Sequence, residues 1–187
     1  MTPFASFETA RLLLRPVTEA DIPNWHKHFN DYAIIGEMSA AVPWPFPADG
    51  TEKFVRGEVL PNLGHERWTW GLFLKQQPDE LVGIIDLWRE GCPENRGFWL
   101  ASPLWGQGLM SEATTPITDY AFAELGFEKL IFNNAKGNER SRRIKEKVGA
   151  RLIDVIDKKF NNPAYTQAEI WELTKESWQH YRQTNAG

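Results

Sequence analysis

Two glycines, Gly106 and Gly108, flank Gln107 between an apolar run, Phe98-Trp99-Leu100, and a stretch from Leu109 that suits a helix to about Leu125. Aromatic and aliphatic residues make the first run a short strand, and Ser102-Pro103 ends it. The glycines mark a tight turn, where positive φ carries no steric cost. A strand, a glycine turn and a helix N-terminus gather unpaired backbone N–H groups at one spot, and the helix dipole adds partial positive charge there. The chemistry this implies is the holding of an anion, and a pyrophosphate would fit. A plain strand-turn-helix connection carries the same glycines, so the turn alone does not decide the matter.

Asp86 is a second chemical signal, a carboxylate inside Leu81-Val82-Gly83-Ile84-Ile85-Asp86-Leu87-Trp88. An acid in so apolar a strand needs a polar neighbour, solvent or a functional cavity. Partial burial would raise its pKa and suit it to accept a proton near neutrality. The alternative is a strand-end aspartate facing water. His26, His28, His65 and His180 show no metal-ligand spacing, and residues two apart such as His26 and His28 do not share a helix face. Cys92 is the only cysteine, which leaves no intrachain disulfide and no cysteine zinc cluster. No metal is expected.

Further along, Asn138 is a favourable helix N-cap, Lys145 and Lys147 lie near the C-terminus of the same helix, and Gly149 ends it. Together with the glycine turn, this stretch resembles the GNAT superfamily of acetyl-CoA-dependent N-acyltransferases. Trp105, Gly106, Gln107, Gly108, Leu109 and Met110 fill the places of its acyl-CoA loop, with Trp105 and Met110 departing from the strict pattern. Met110 is bulky where a small residue usually lets the backbone approach the phosphates. Asn138, Ser141, Glu146, Lys147, Val148 and Gly149 match the second signature, with Ala150 in place of the frequent Phe. The opening segment 8–16 with Asp21, and the closing segment 170–178, are similar to the branch that contains ribosomal-protein N-terminal acetyltransferases acting on alanine or serine.

The resemblance implies acetyl-CoA as cofactor. It would be held by Phe98, Trp99, Leu100, Trp105, Gly106, Gln107, Gly108, Leu109, Met110 and Ser111, and by Asn138, Ser141 and Arg143. Ser141 stands where the family places an acid for the departing thiolate; hydrogen bonding to the pantetheine arm is the other reading of it. A backbone N–H of the 98–100 strand is the expected oxyanion donor. The base is left open. Asn95 occupies a position that is often acidic in similar enzymes, so Asp86 and Glu94 are the candidates, with water as relay. One of Arg140, Arg142 and Arg143 is expected to pair with a CoA phosphate. Trp44 and Phe46, in Pro43-Trp44-Pro45-Phe46-Pro47, are either acceptor-wall residues or aromatics that cap the core.

The elements that must position these groups follow from periodicity. A strand is predicted over 11–16, then a helix with Thr18 as N-cap and Ile22, Trp25 and Phe29 inward. A second helix over 49–60 would turn Phe54, Val55 and Val59 inward. Strands over 68–75 and 81–88, joined by a turn over 76–80, should pair consecutively with the Phe98 strand. Further strands are predicted over 129–134, 151–157 and 169–174. The expected fold is α/β (α+β), a single domain over 1–187 with a mixed, mostly antiparallel central sheet flanked by helices. A net charge of −4 argues against a general nucleic-acid or anionic-membrane binder. The start of the chain lacks the features of a signal peptide and no apolar run reaches spanning length, which points to the cytoplasm. The expected function is acetyl transfer to a primary amine, on a protein N-terminus or on a polyamine, amino acid or aminoglycoside, by a monomer or homodimer. A noncatalytic acyl-CoA-binding protein is the alternative of a different class.

Overall fold

Apolar runs that must be covered on both faces become the central strands. Strands β2 (Leu12–Pro16), β3 (Arg67–Leu74), β4 (Gln77–Trp88) and β5 (Arg96–Leu100) pair antiparallel in chain order, with the short β1 (Phe7–Glu8) at the outer edge. The computed structural model describes residues 4–89 and 94–186, so Cys92 lies outside the described residues. The register sets Ile84 opposite Trp99 and Asp86 opposite both Thr69 and Gly97. The turn between β3 and β4 is tighter than its Pro-Asp-Glu sequence suggests. Only Lys75 and Gln76 form it, and 77–80 already belong to β4. Pro78 is tolerated because it falls at the exposed end of the strand, while register shifts after Leu72 and Phe73 absorb the extra length.

A separate sheet follows, with β6 (Lys129–Ala135) and β7 (Arg151–Asp157) on either side of β8 (Gln167–Thr174), all antiparallel. One residue clasps the two sheets together. The Asn95 side-chain oxygen accepts from the Ile131 N–H at 2.7 Å, its amide donates to Lys129 O at 3.1 Å, and its backbone N–H donates to Ile131 O at 2.9 Å. Apart from these and a bond from the Asn133 amide to Glu94, no hydrogen bond among the described residues links 94–100 to β6, and the strands belong to separate sheets. An asparagine where an acid was a candidate base thus has a structural duty. Asn95→Ala is expected to leave the Ile131 N–H and Lys129 carbonyl unpaired and to cost about 1–3 kcal/mol. Urea melts would show it, and native stability in that variant would contradict it.

Helices cover both faces. Helix α1 (Ile22–Phe29) buries Trp25 and Phe29 as its spacing demands. With α2 (Tyr32–Ile35) and α3 (Gly50–Phe54) it packs a core around Phe73, Ile84 and Trp99. The expected helix over 49–60 is three pieces, because α3 passes into a π turn, Val55–Val59, and then a 3-10 turn, Leu60–Asn62. The wider π turn keeps Val55 and Val59 on the inner face and leaves Phe54 on the flank, 37% exposed. On the opposite face α4 (Leu109–Ala123) packs against Trp70, Leu87, Phe132 and Trp171. Helix α5 (Glu139–Lys147) follows β6, and α6 (Lys175–Thr184) ends the described chain.

Candidate active site

The turn into α4 adopts the expected backbone. Gly106 and Gly108 have φ of +78° and +75°, and Gly108 is the N-cap of α4. A Cβ at Gly106 would meet nothing within 4 Å, so backbone conformation and not crowding calls for glycine here. The N–H groups of residues 106–111 have no acceptor among the described residues, and the first helical bond runs from the Glu112 N–H to Gly108 O at 3.0 Å. The Gln107 carbonyl is tied down from outside the turn. Arg11 donates from Nη1 to Gln107 O at 2.9 Å, and Glu112 fixes Arg11 through Nε at 2.7 Å. The Trp105 indole anchors the other side, donating to Leu100 O at 2.8 Å. Met110, the bulky departure in the loop, is 6% exposed and packs into the core around α4. A row of free donors on a helix N-terminus fits a pyrophosphate.

From this turn a cavity of about 1080 Å³ runs through the opening between β5 and β6. On one side it meets Phe98, Leu100, Leu109, Ser111, Asn138 and Ser141; on the other it widens between Trp25, Phe29, Phe46, Phe54 and Trp99. Phe46 stacks on His26 at 5.5 Å and meets Phe29 edge-on at 5.2 Å, so it is both wall and core cap. Trp44 does not reach the cavity. It is 42% exposed and rests on Tyr32, with ring centroids 5.2 Å apart. The side chains of Gln107 and Arg143 also lie off the cavity wall and are exposed. Among the arginines of α5, Arg142 is taken by Glu146 and Glu169, both at 2.8 Å. Arg140 lies over the Trp105 ring at 3.5 Å and pairs with Glu37. Arg143 has no ion-pair partner among the described residues.

The two carboxylate candidates sit differently. Asp86 is buried and held by Arg67 through a bidentate pair, Nε lying 3.0 Å from each oxygen, while Thr69 Oγ1 donates to Oδ1 at 2.8 Å. Burial pushes its carboxyl above the ordinary carboxylate range, and Arg67 and Thr69 offset part of that push. Its lone pairs are largely committed. Glu94 is half-buried at the cavity wall. Asn133 donates to its Oε1, Lys158 lies 3.5 Å from the same atom, and Oε2 keeps no partner among the described residues.

Asn138 caps α5 by accepting from the Ser141 N–H at 3.2 Å, and this aims Ser141 at the cavity. The residue behind Ser141 is not the solvated lysine that a helix end suggests. Lys145 is 1% exposed, lines the cavity and donates from Nζ to Ser141 Oγ at 2.6 Å. Arg96 is also buried, and its guanidinium lies over the Phe132 ring at 3.6 Å with Nε and Nη2 unpartnered among the described residues. Burial pulls Arg96 down to about 9, which leaves it charged at neutral pH. Sequence reading missed both groups. The signal available for Lys145 was its four-residue spacing from Ser141, which puts the two on one helix face. Among the described residues no group of His, Cys, Asp and Glu is placed to hold a metal ion, and no helix is long and apolar enough to cross a membrane.

A glycine turn feeding a cleft between parted strands, with helices on both faces, is the architecture of the GNAT acetyltransferases. The chain belongs to that family: the family model described as "Acetyltransferase (GNAT) domain" matches residues 11–151. It is 36% identical over 84 residues to the Bacillus subtilis protein named "Putative ribosomal N-acetyltransferase YdaF", a match covering 44% of this chain and 46% of that protein. The aligned part is therefore about half the length of that relative. The fold is similar to Mycobacterium smegmatis RimJ in complex with CoA-disulfide, with a TM-score of 0.76 and 17% identity over 98% of this chain and 95% of that one. It is similar too to the spermidine N-acetyltransferase of Vibrio cholerae in complex with CoA and spermine, with a TM-score of 0.74 and 17% identity over 90% of this chain and 98% of that one.

Proposed function

We propose that this protein is an acetyl-CoA-dependent N-acetyltransferase of the cytoplasm whose acceptor is the amino terminus of a protein. The observation that carries the reading is the single cavity that joins the glycine turn, through the gap between β5 and β6, to an aromatic chamber. The free N–H groups of 106–111 hold the pyrophosphate, and Arg143 is available to a phosphate outside the cleft. Acetyl-CoA supplies, when bound, an activated acyl thioester. Ala101 donates to Val82 O at 2.8 Å, and alternation along β5 turns the N–H groups of Phe98 and Leu100 to the open edge. There they stabilise charge growing on the acyl oxygen. Glu94, through its uncommitted Oε2, takes a proton from the acceptor ammonium, and the freed amine attacks. Ser141 gives a proton to the departing sulfur.

The lining speaks to the acceptor. Basic side chains outnumber acidic ones: Lys53, Arg67, Arg96, Arg140, Lys145 and Lys158 stand against Glu37, Asp49, Asp86 and Glu94. A polycation would meet net repulsion there, whereas a singly charged terminus followed by an apolar side chain suits the aromatic walls. The test mixes protein and acetyl-CoA with a free-N-terminus peptide, its N-blocked lysine-containing counterpart and spermidine, and reads acetylation by mass spectrometry. Acetyl on the free N-terminus is expected; acetyl on spermidine or lysine alone would overturn the acceptor assignment. Glu94→Gln is expected to lower kcat/KM by about 100-fold, with Asp86→Asn acting mainly on stability. The reverse ranking in steady-state kinetics would move the base to Asp86.

A further inference from the structure

We propose that Lys145 is the proton reservoir of Ser141, recharging the hydroxyl each time Ser141 protonates the departing CoA sulfur; this rests on the acetyltransferase reading above. Lys145 Nζ lies 2.6 Å from Ser141 Oγ and 3.4 Å from the Ser141 carbonyl oxygen, and both side chains line the cavity. Among the described residues no carboxylate lies within ion-pair distance of the ammonium. The charged groups acting on it are Arg96 of β5, which repels it, and Glu169 of β8, which attracts it. Glu169 is already engaged by Arg142 Nη1 at 2.8 Å and Asn134 Nδ2 at 3.0 Å. The Phe98 and Phe132 rings complete the surround, with centroids 5.8 and 5.7 Å from Nζ.

Burial first, and Arg96 second, hold the Lys145 amine well below the ordinary lysine range, with Glu169 opposing them. An amine so placed gives up and regains a proton far more readily than a surface lysine. As structure alone it is a poor choice, since an apolar side chain of similar length would fill the space without a desolvated amine. As chemistry the position is apt. In the step, the acceptor nitrogen forms its bond to the acyl carbon, the C–S bond breaks and its electron pair goes to sulfur. Sulfur takes the Ser141 proton, and Ser141 takes one from the Lys145 ammonium. Neutral Lys145 is recharged through the cavity water by the second proton, which the nitrogen sheds once its bond to the acyl carbon has formed, the first having gone to Glu94. Lys145 acts through Ser141 and does not itself touch the reacting atoms.

Lysine-ε carbon NMR of the native protein is expected to show one lysine titrating well below the others, with that signal absent in Lys145→Met. Single-turnover CoA release should fall about 100-fold in Lys145→Met and in Ser141→Ala, and no further in the double variant, because the two work as a unit. Lys145→Arg keeps a donor and a charge but cannot give up a proton, so it should stay slow; a merely structural role would be rescued by it. Lys145→Met should also melt higher than the native protein at neutral pH. Between the depressed native pKa and the ordinary 10.5, the unfolded chain binds a proton that the folded chain does not, so this advantage should shrink as pH climbs toward 10.5. A lysine that titrates with the rest, native turnover in Lys145→Met or rescue by Lys145→Arg would each overturn the relay alone. Failure of the native protein with every amine would overturn the transferase reading, and the relay with it.

Discussion

Gly108→Trp is expected to lower acetyl-CoA affinity more than about 100-fold, or ~2.7 kcal/mol, while the protein stays folded. Two effects combine at this position. At φ +75° any side chain is strained, at a cost of about 1–3 kcal/mol that the fold can bear. The indole then occupies the concavity in front of the free N–H groups of 106–111 and excludes the pyrophosphate. Two controls separate the effects. Gly126→Ala introduces comparable strain at φ +73° at the other end of α4 and should leave binding intact. Gly108→Ala, whose Cβ would meet only Arg11 Nη2 at 3.7 Å, should lose no more than the strain accounts for. Ser141→Ala should bind acetyl-CoA nearly as well as the native protein, because its role lies in the later proton transfer. Equal binding by Gly108→Trp and native protein in calorimetric titration would remove the turn from the site.

Arg67→Ala is the variant expected to damage the fold most. It strands a 4%-exposed carboxylate, since among the described residues Asp86 then keeps only Thr69 as a side-chain partner. Removing one member of a buried ion pair costs about 3 kcal/mol or more. The loss has a direction in pH. Burial already raises Asp86 above 3.8 in the folded chain, and without Arg67 the rise is larger. An acid whose folded pKa is raised binds more protons folded than unfolded. Stability is therefore retained below 3.8 and lost as pH rises through the folded pKa. Urea melts of Arg67→Ala should show the smallest deficit at acid pH and the full deficit at neutrality. A deficit that does not change with pH would mean that the ion pair is not its source.

The parts of the site visible in the sequence are those encoded locally. The glycine turn, the Asn138 cap and the Gly149 stop each depend on residues a few positions apart, and each lies where its spacing places it. The strands that frame the cleft were also legible, because apolar runs of that length must be covered. What escaped depends on distant pairings. Arg67 meets Asp86 only through the β3–β4 register, in which Thr69 and not Arg67 is the direct opposite of Asp86. Lys145 reads as a helix-end cation until Arg96 and Phe98 of the distant β5, with Phe132 of the preceding strand, close around it. Asn95 reads as a missing acid until β6 arrives to use both ends of its amide. Trp44 and Phe46 read alike, as wall candidates or core caps, because composition cannot say which aromatic of a proline-rich stretch turns inward; Phe46 does.

The most direct test of the whole account is release of free CoA thiol from acetyl-CoA by the native protein, with and without a peptide bearing a free amino terminus. Thiol release that requires the peptide, keeps pace with its acetylation and is lost in Gly108→Trp is the predicted result. Tight acetyl-CoA binding with no thiol release on any amine would contradict it, leaving a protein that holds the thioester in this cleft and does not transfer its acyl group.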